Sequence, residues 1–120
     1  MKLKNFDNYK QIPSLSEGVT LLGITHPTYD DLPINFCMGK MTLDPSAISE
    51  PRRLGVGIVY YANAGYGSAV VNGENVLLEP DSMLYIPAHS ARYFQNTGNE
   101  KLIIFSVLNE AWRDEFEEAL

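Results

Sequence analysis

Glycine and proline interrupt this chain so often that few stretches can complete an amphipathic helix, because these two residues are the poorest helix formers. Nine glycines and seven prolines are spread through 120 residues. Between them lie short runs rich in β-branched and aromatic side chains, which suit a pleated surface. Val19 to Thr25 and Ile34 to Leu43 are two such runs, joined by the polar, proline-bearing stretch from His26 to Pro33. Val56 to Ala62 follows. Ser68 to Val71 and Val76 to Leu78 then flank Asn72-Gly73, a pair that tolerates positive φ at both central positions of a tight hairpin turn. Met83 to Ile86, Ala91 to Gln95 and Lys101 to Leu108 complete a set of eight runs, separated by Pro87 and by Thr97-Gly98-Asn99. Short strands at about ten-residue spacing indicate an all-β, antiparallel sandwich or barrel.

The ends read differently. Residues 1–17 place Phe6, Tyr9 and Ile12 among polar residues, which suggests an arm rather than a loose tag. The barrel is expected over residues 18–108, and residues 109–120 as a short C-terminal helix or tail. Asn109 would cap that helix, and Trp112 and Phe116, four apart, would share a face. Its acidic residues, however, cluster toward the C-terminal end, the unfavourable side for a helix dipole.

Charge and cysteine content narrow the function classes. Fifteen acidic against nine basic residues give a net charge of −6, and no basic run exceeds Arg52-Arg53. A surface that tracks nucleic-acid phosphates is therefore not expected. No apolar stretch is long enough to span a bilayer, and the first residues lack the apolar segment of a secretory leader. Cys37 stands alone, so an internal disulfide and a thiolate metal cluster are both excluded. The expectation is a cytoplasmic domain without nucleic-acid or membrane partners. A domain of this size buries only about two-thirds of its unfolded surface. A homodimer is accordingly expected, with the arm and the Trp112/Phe116 pair as candidate surface.

From Asp81 the chain reads DSMLYIPAHSARYFQN. Asp81, Pro87, His89, Arg92 and Asn96 stand at the spacing of the glycine, proline, second glycine, histidine and asparagine of the second cupin motif. Upstream, VYYANAGYGSAVVNGENVLLEP is similar to the end of the first cupin motif and its hairpin, with Gly65 at the closing glycine. Over residues 18–108 the chain thus resembles a small single-domain cupin, and its closing FSVLNEAWRDEFEE is similar to the tail of some small bacterial and archaeal cupins. The resemblance implies a jelly-roll-like antiparallel β-barrel with a ligand chamber in its bore.

Metal-binding cupins hold their ion with two histidines and a glutamate from the first motif and a histidine from the second. Counting back from Gly65, the glutamate position falls at Ile58 and the histidine positions at Pro51 and Arg53. A register one residue shorter gives Arg52 and Leu54 instead. The second-motif histidine is replaced by Arg92. Arginine stays protonated and has no lone pair to offer, so it repels a cation rather than binding it. No metal and no other cofactor is expected.

By the same resemblance Ile58 and Arg92 face the bore, and alternation along the strands carries Tyr60 and Phe94 inward with them. Arg92 either anchors an acidic or oxygen-rich small molecule, pairs with an internal acid, or snorkels to the mouth. Arg53 either joins it there or is a solvated loop residue. Tyr60 is a buried packing residue or a general acid. His89 is a proton shuttle or a turn residue tolerating unusual φ. Cys37 reads as a small buried hydrophobe, and His26-Pro27 as loop. The function expected is that of a metal-independent small-molecule-binding cupin. The alternative is a metal-independent isomerase, epimerase or cyclase using His89, Tyr60 and Arg92. A metal-dependent dioxygenase or decarboxylase is disfavoured by the missing ligands.

Overall fold

The computed structural model describes residues 1–120 and contains eleven strands in two sheets, paired antiparallel throughout. The strands are β1 (Lys10–Ile12), β2 (Val19–Thr25), β3 (Cys37–Leu43), β4 (Arg52–Leu54), β5 (Ile58–Ala64), β6 (Gly67–Val71), β7 (Glu74–Leu78), β8 (Ser82–Ile86), β9 (Ala91–Asn96), β10 (Leu102–Leu108) and β11 (Glu117–Glu118). One sheet has the order β1-β2-β3-β10-β5-β8 and the other β11-β4-β9-β6-β7. β10, the last of the long strands, lies between β3 and β5 at the centre of the larger sheet.

Alternation sorts each strand's side chains between the core and the outside. In β5, Ile58, Tyr60 and Ala62 are buried while Val59 and Tyr61 are exposed. In β9, Arg92, Phe94 and Asn96 are buried. The two inner faces meet in a core that contains Leu43, Leu54, Ala69, Ile86, Leu102 and Ile104. Such a two-layer arrangement buries one face of each sheet, while the outer face of β5 and β8 carries the exposed Val59, Tyr61, Met83 and Tyr85.

The turn chemistry follows the sequence closely. Asn72 and Gly73 both take positive φ, 49° and 83°, between Val71 and Glu74, which pair across the hairpin. That is the two-residue turn whose twist matches its strands. Asp81 (φ 69°) and His89 (φ 70°), standing where the motif has glycines, also adopt left-handed conformations. Asn96 is buried, and its amide donates to the Leu43 and Glu100 carbonyls at 2.9 and 2.7 Å while its Oδ1 accepts from the Gly98 N–H. The motif asparagine therefore ties β9 to β3 and to the turn before β10.

The C-terminal segment is not a helix. A single 3-10 turn, Asp114–Phe116, leads into β11, which pairs with β4. The Gly55 N–H donates to the Phe116 carbonyl at 2.6 Å, and Trp112 meets Phe116 edge-on at 5.7 Å. The aromatic pairing expected of a helix is thus achieved by a turn, while the open edge of β4 satisfies backbone groups that a short acid-ended helix would leave unpaired. Phe116 is buried in the chain's own core. At the other end, β1 covers the edge of β2.

Gly65 occupies a position that excludes a side chain. Its φ is +86°, and a Cβ there would lie 2.4 Å from the Lys101 carbonyl oxygen. Gly65→Ala is expected to cost about 2 kcal/mol or more, combining left-handed strain with backbone collision. Gly73→Ala, whose Cβ would meet nothing within 4 Å, is expected to cost about 1 kcal/mol. Urea denaturation of the two variants checks the contrast.

Candidate functional site

Between the two sheets lies a cavity of about 640 Å³, lined by residues of both. Four of the five ligand-binding residues expected from the sequence, Ile58, Tyr60, Arg92 and Phe94, lie on its wall. The fifth, Arg53, does not. Its Nη1 donates to the Ala119 carbonyl at 3.0 Å, on the opposite face of β4. A strand shows alternate side chains to opposite faces, and Arg52, the direct partner of Arg92, is the arginine that faces the cavity. Leu54 is buried on that same face. The shorter of the two motif registers therefore holds.

Small residues give the cavity its width. Gly23, Gly39, Ser106 and Tyr60 are successive cross-strand partners on β2, β3, β10 and β5, and all four line the cavity. The first three leave the wall shallow beside Tyr60, and a Cβ on Gly39 would meet Ser106 Oγ at 2.9 Å. The Tyr60 ring packs at 4.9 Å from that of Phe94. Sequence reasoning missed Gly39 and Ser106 and reached Arg52 only through the alternative motif register. A row of small side chains across three strands becomes visible only once the pairing register is known.

Arg92 dominates the chemistry of the chamber, with only 3% of its surface exposed. Its Nε donates to the Ser90 carbonyl at 3.1 Å and its Nη1 to the Tyr60 hydroxyl oxygen at 3.2 Å. Nη2 is buried and has no partner. No carboxylate pairs with Arg92, so the internal ion pair is not present. Burial lowers the guanidinium's pKa, an effect opposed by the Tyr60 oxygen and reinforced by Arg52. Burial also raises the Tyr60 pKa, against the pull of Arg92 and Arg52. Tyr60 is therefore a neutral phenol whose oxygen accepts from Arg92 and whose proton has no acceptor within the chain. The groups left unused on Arg92 and Tyr60, Nη2 and the phenol proton, are both donors.

Arg52 is differently placed. Its Nε and Nη2 grip the Glu117 carboxylate at 3.0 and 2.5 Å, and its guanidinium stands 5.6 Å from the Trp112 ring centre. The hydrogen bond to Glu117 raises its pKa. Trp112 lies at the cavity wall, where its backbone N–H donates to Cys37 Sγ at 3.1 Å. Cys37 is buried, and burial pushes its thiol pKa up, which fits a packing residue.

His89 lies outside the chamber. It is exposed, its Nδ1 stands 2.7 Å from Glu118 Oε2, and it is absent from the cavity wall. The turn's left-handed backbone at this residue directs the ring toward β11. The expected acid–base trio of His89, Tyr60 and Arg92 is therefore not assembled. His26 is at the mouth, with its Nε2 3.4 Å from the Trp112 carbonyl oxygen and its Nδ1 accepting from the Thr28 N–H.

The positions that would hold a metal in a metal-binding cupin do not fit one. Ile58, Arg92, Arg52 and Leu54 offer no lone pair, and nowhere do three His, Cys, Asp or Glu side chains gather as a ligand group.

No family model matches the chain, and no curated protein matches it. Solved structures do. A predicted oxalate decarboxylase from Thermotoga maritima is 18% identical, covering 92% of this chain and 100% of its own, with a TM-score of 0.72. The polyketide cyclase RemF from Streptomyces resistomycificus is 15% identical over 94% of this chain and 82% of its own, with a TM-score of 0.76. A cupin-2 domain from Rhodospirillum rubrum is 16% identical over 94% and 76%, also at 0.76. At these identities the likeness establishes architecture: the chain has the cupin fold, as its second-motif spacing implied.

A buried guanidinium with an unsatisfied nitrogen is a cost to the empty protein. Tyr60→Phe is expected to destabilise by about 1–3 kcal/mol, because it strips Arg92 of its side-chain partner. Replacing both groups together, Tyr60→Phe with Arg92→Met, is expected to stabilise by about 1–3 kcal/mol. Chemical denaturation of the single and double variants reads the opposite signs.

Proposed function

We propose that this cupin-fold domain binds a small organic acid in its bore without a metal, with Arg92 as the anchor of the ligand's anionic end. The single observation that carries this reading is Arg92 Nη2, enclosed and without a partner. A fixed positive charge held away from water is kept at a cost to stability, and an incoming carboxylate would recover it through charge-assisted hydrogen bonds. The Tyr60 hydroxyl would donate to the same group. Ile58 and Phe94 supply apolar surface for the ligand's body, and the shallow wall at Gly39 and Ser106 leaves it room.

Binding is favoured over turnover by what surrounds the anchor. A proton-transfer reaction needs a base within reach of the substrate as well as a donor. Tyr60 and Arg92 are both donors, and the histidine expected to act as the base faces Glu118 outside; the bases that do line the wall, His26, Asp30, Glu50 and Asp114, make no hydrogen bond to either donor. The named activities of the structural neighbours, a decarboxylase and a cyclase, differ from one another, as is usual for functions grafted onto one fold.

Benzoate and benzamide have nearly the same shape and differ in charge. Benzoate is expected to raise the midpoint of thermal unfolding in a concentration-dependent way, and benzamide is not. Arg92→Met should retain the fold and lose the response to benzoate; Tyr60→Phe should weaken binding by about tenfold. Equal responses to the two probes, or an unchanged benzoate affinity in Arg92→Met, would remove the anchor.

A further inference from the structure

Two guanidiniums stand side by side at the head of the cavity, yet only one lacks an anionic partner. Arg52 and Arg92 are direct partners on β4 and β9, and both side chains face the bore. The Glu117 carboxylate occupies the Nε–Nη2 edge of Arg52 in the two-pronged geometry that suits a guanidinium best. Trp112 stands against the same group. Glu50, exposed on the cavity rim, adds further negative charge near Arg52. The pairing is built by the fold. β11 places Glu117 opposite Leu54, two residues from Arg52, and the buried Phe116 anchors that strand.

We propose that Glu117 sets the charge class of the ligand: by holding Arg52 it leaves Arg92 as the one guanidinium at the head of the cavity without an anionic partner, so the cavity selects monocarboxylates over dianions. This rests on the organic-acid reading above and adds a residue outside the cavity wall as its specificity determinant. A dianion's second carboxylate would meet Arg52 already neutralised, with the charges of Glu117 and Glu50 beside it, and would lose solvation without gaining a partner. Removal of the Glu117 charge would open the Nε–Nη2 edge of Arg52 and turn the head of the cavity into a two-guanidinium clamp.

Benzoate and phthalate test this at about pH 8, where both carboxyl groups of phthalate are ionised. In wild-type protein, calorimetry is expected to show benzoate binding at least about tenfold more tightly than phthalate. Glu117→Gln is expected to shift the affinity ratio toward phthalate by about tenfold or more. The double variant Arg52→Gln with Glu117→Gln also lacks the ion pair but offers no second cation, and it should return to the wild-type preference. Glu117 is 44% exposed in its side chain, so the variants keep their core. If benzoate binds and the ratio is unchanged in Glu117→Gln, the role of Glu117 is lost while Arg92 keeps its own. Glu117 loses that role equally if single and double variants shift alike, since the effect would then come from loosening β11. If wild-type protein binds neither probe at about 1 mM, the organic-acid reading falls first.

Discussion

A permanently charged side chain buried between the two sheets is the constraint to which the rest of this molecule answers. Arg92 cannot discharge itself as a buried lysine or carboxylate can, because a guanidinium stays protonated in proteins; burial lowers its pKa. It must therefore find hydrogen-bond acceptors, and the fold supplies two. The Ser90 carbonyl and the Tyr60 oxygen hold Nε and Nη1, and Nη2 is left enclosed and without a partner. The neighbouring arginine is neutralised by a carboxylate from a different part of the chain, which limits the repulsion between them. On the proposed reading, stability and ligand recognition pull on this group in opposite directions.

The barrel was legible because its strongest signals are local. β2 and β6–β7 appear where β-branched runs and Asn72-Gly73 place them. β1, β4 and β11, with the sequences Lys-Gln-Ile, Arg-Arg-Leu and Glu-Glu, were not legible. They are two or three residues long and mostly polar, so they show no periodicity; their conformation is set by the sheet edges they cover. Of the helix or tail expected at the C-terminus, the tail is found, for a related reason. A four-residue spacing of Trp112 and Phe116 suits a helix, but a turn followed by a strand brings the same rings together.

The site divides along the same line. Ile58, Tyr60, Arg92 and Phe94 sit on long strands whose alternation carries over from one residue to the next, so placing one places all. Arg53 and Arg52 sit on a three-residue strand between irregular segments, where nothing in the sequence fixes which of two neighbours points inward, and a single-residue slip exchanges them. His89 and Asp81 keep the left-handed backbone of the motif glycines while carrying side chains of their own. At these two positions the motif survives as backbone shape.

The position of β10 has a consequence in time. β3 and β5 do not pair with each other; each is zipped to β10, whose Leu102 lies opposite Leu43 and whose Leu108 lies opposite Ile58. A chain emerging from the ribosome amino-terminus first would carry two long, apolar, unsatisfied edges until residues 102–108 had followed. Closure of the larger sheet must therefore wait for that segment to clear the exit tunnel, and until then nascent copies on one message would be exposed to sticking to one another.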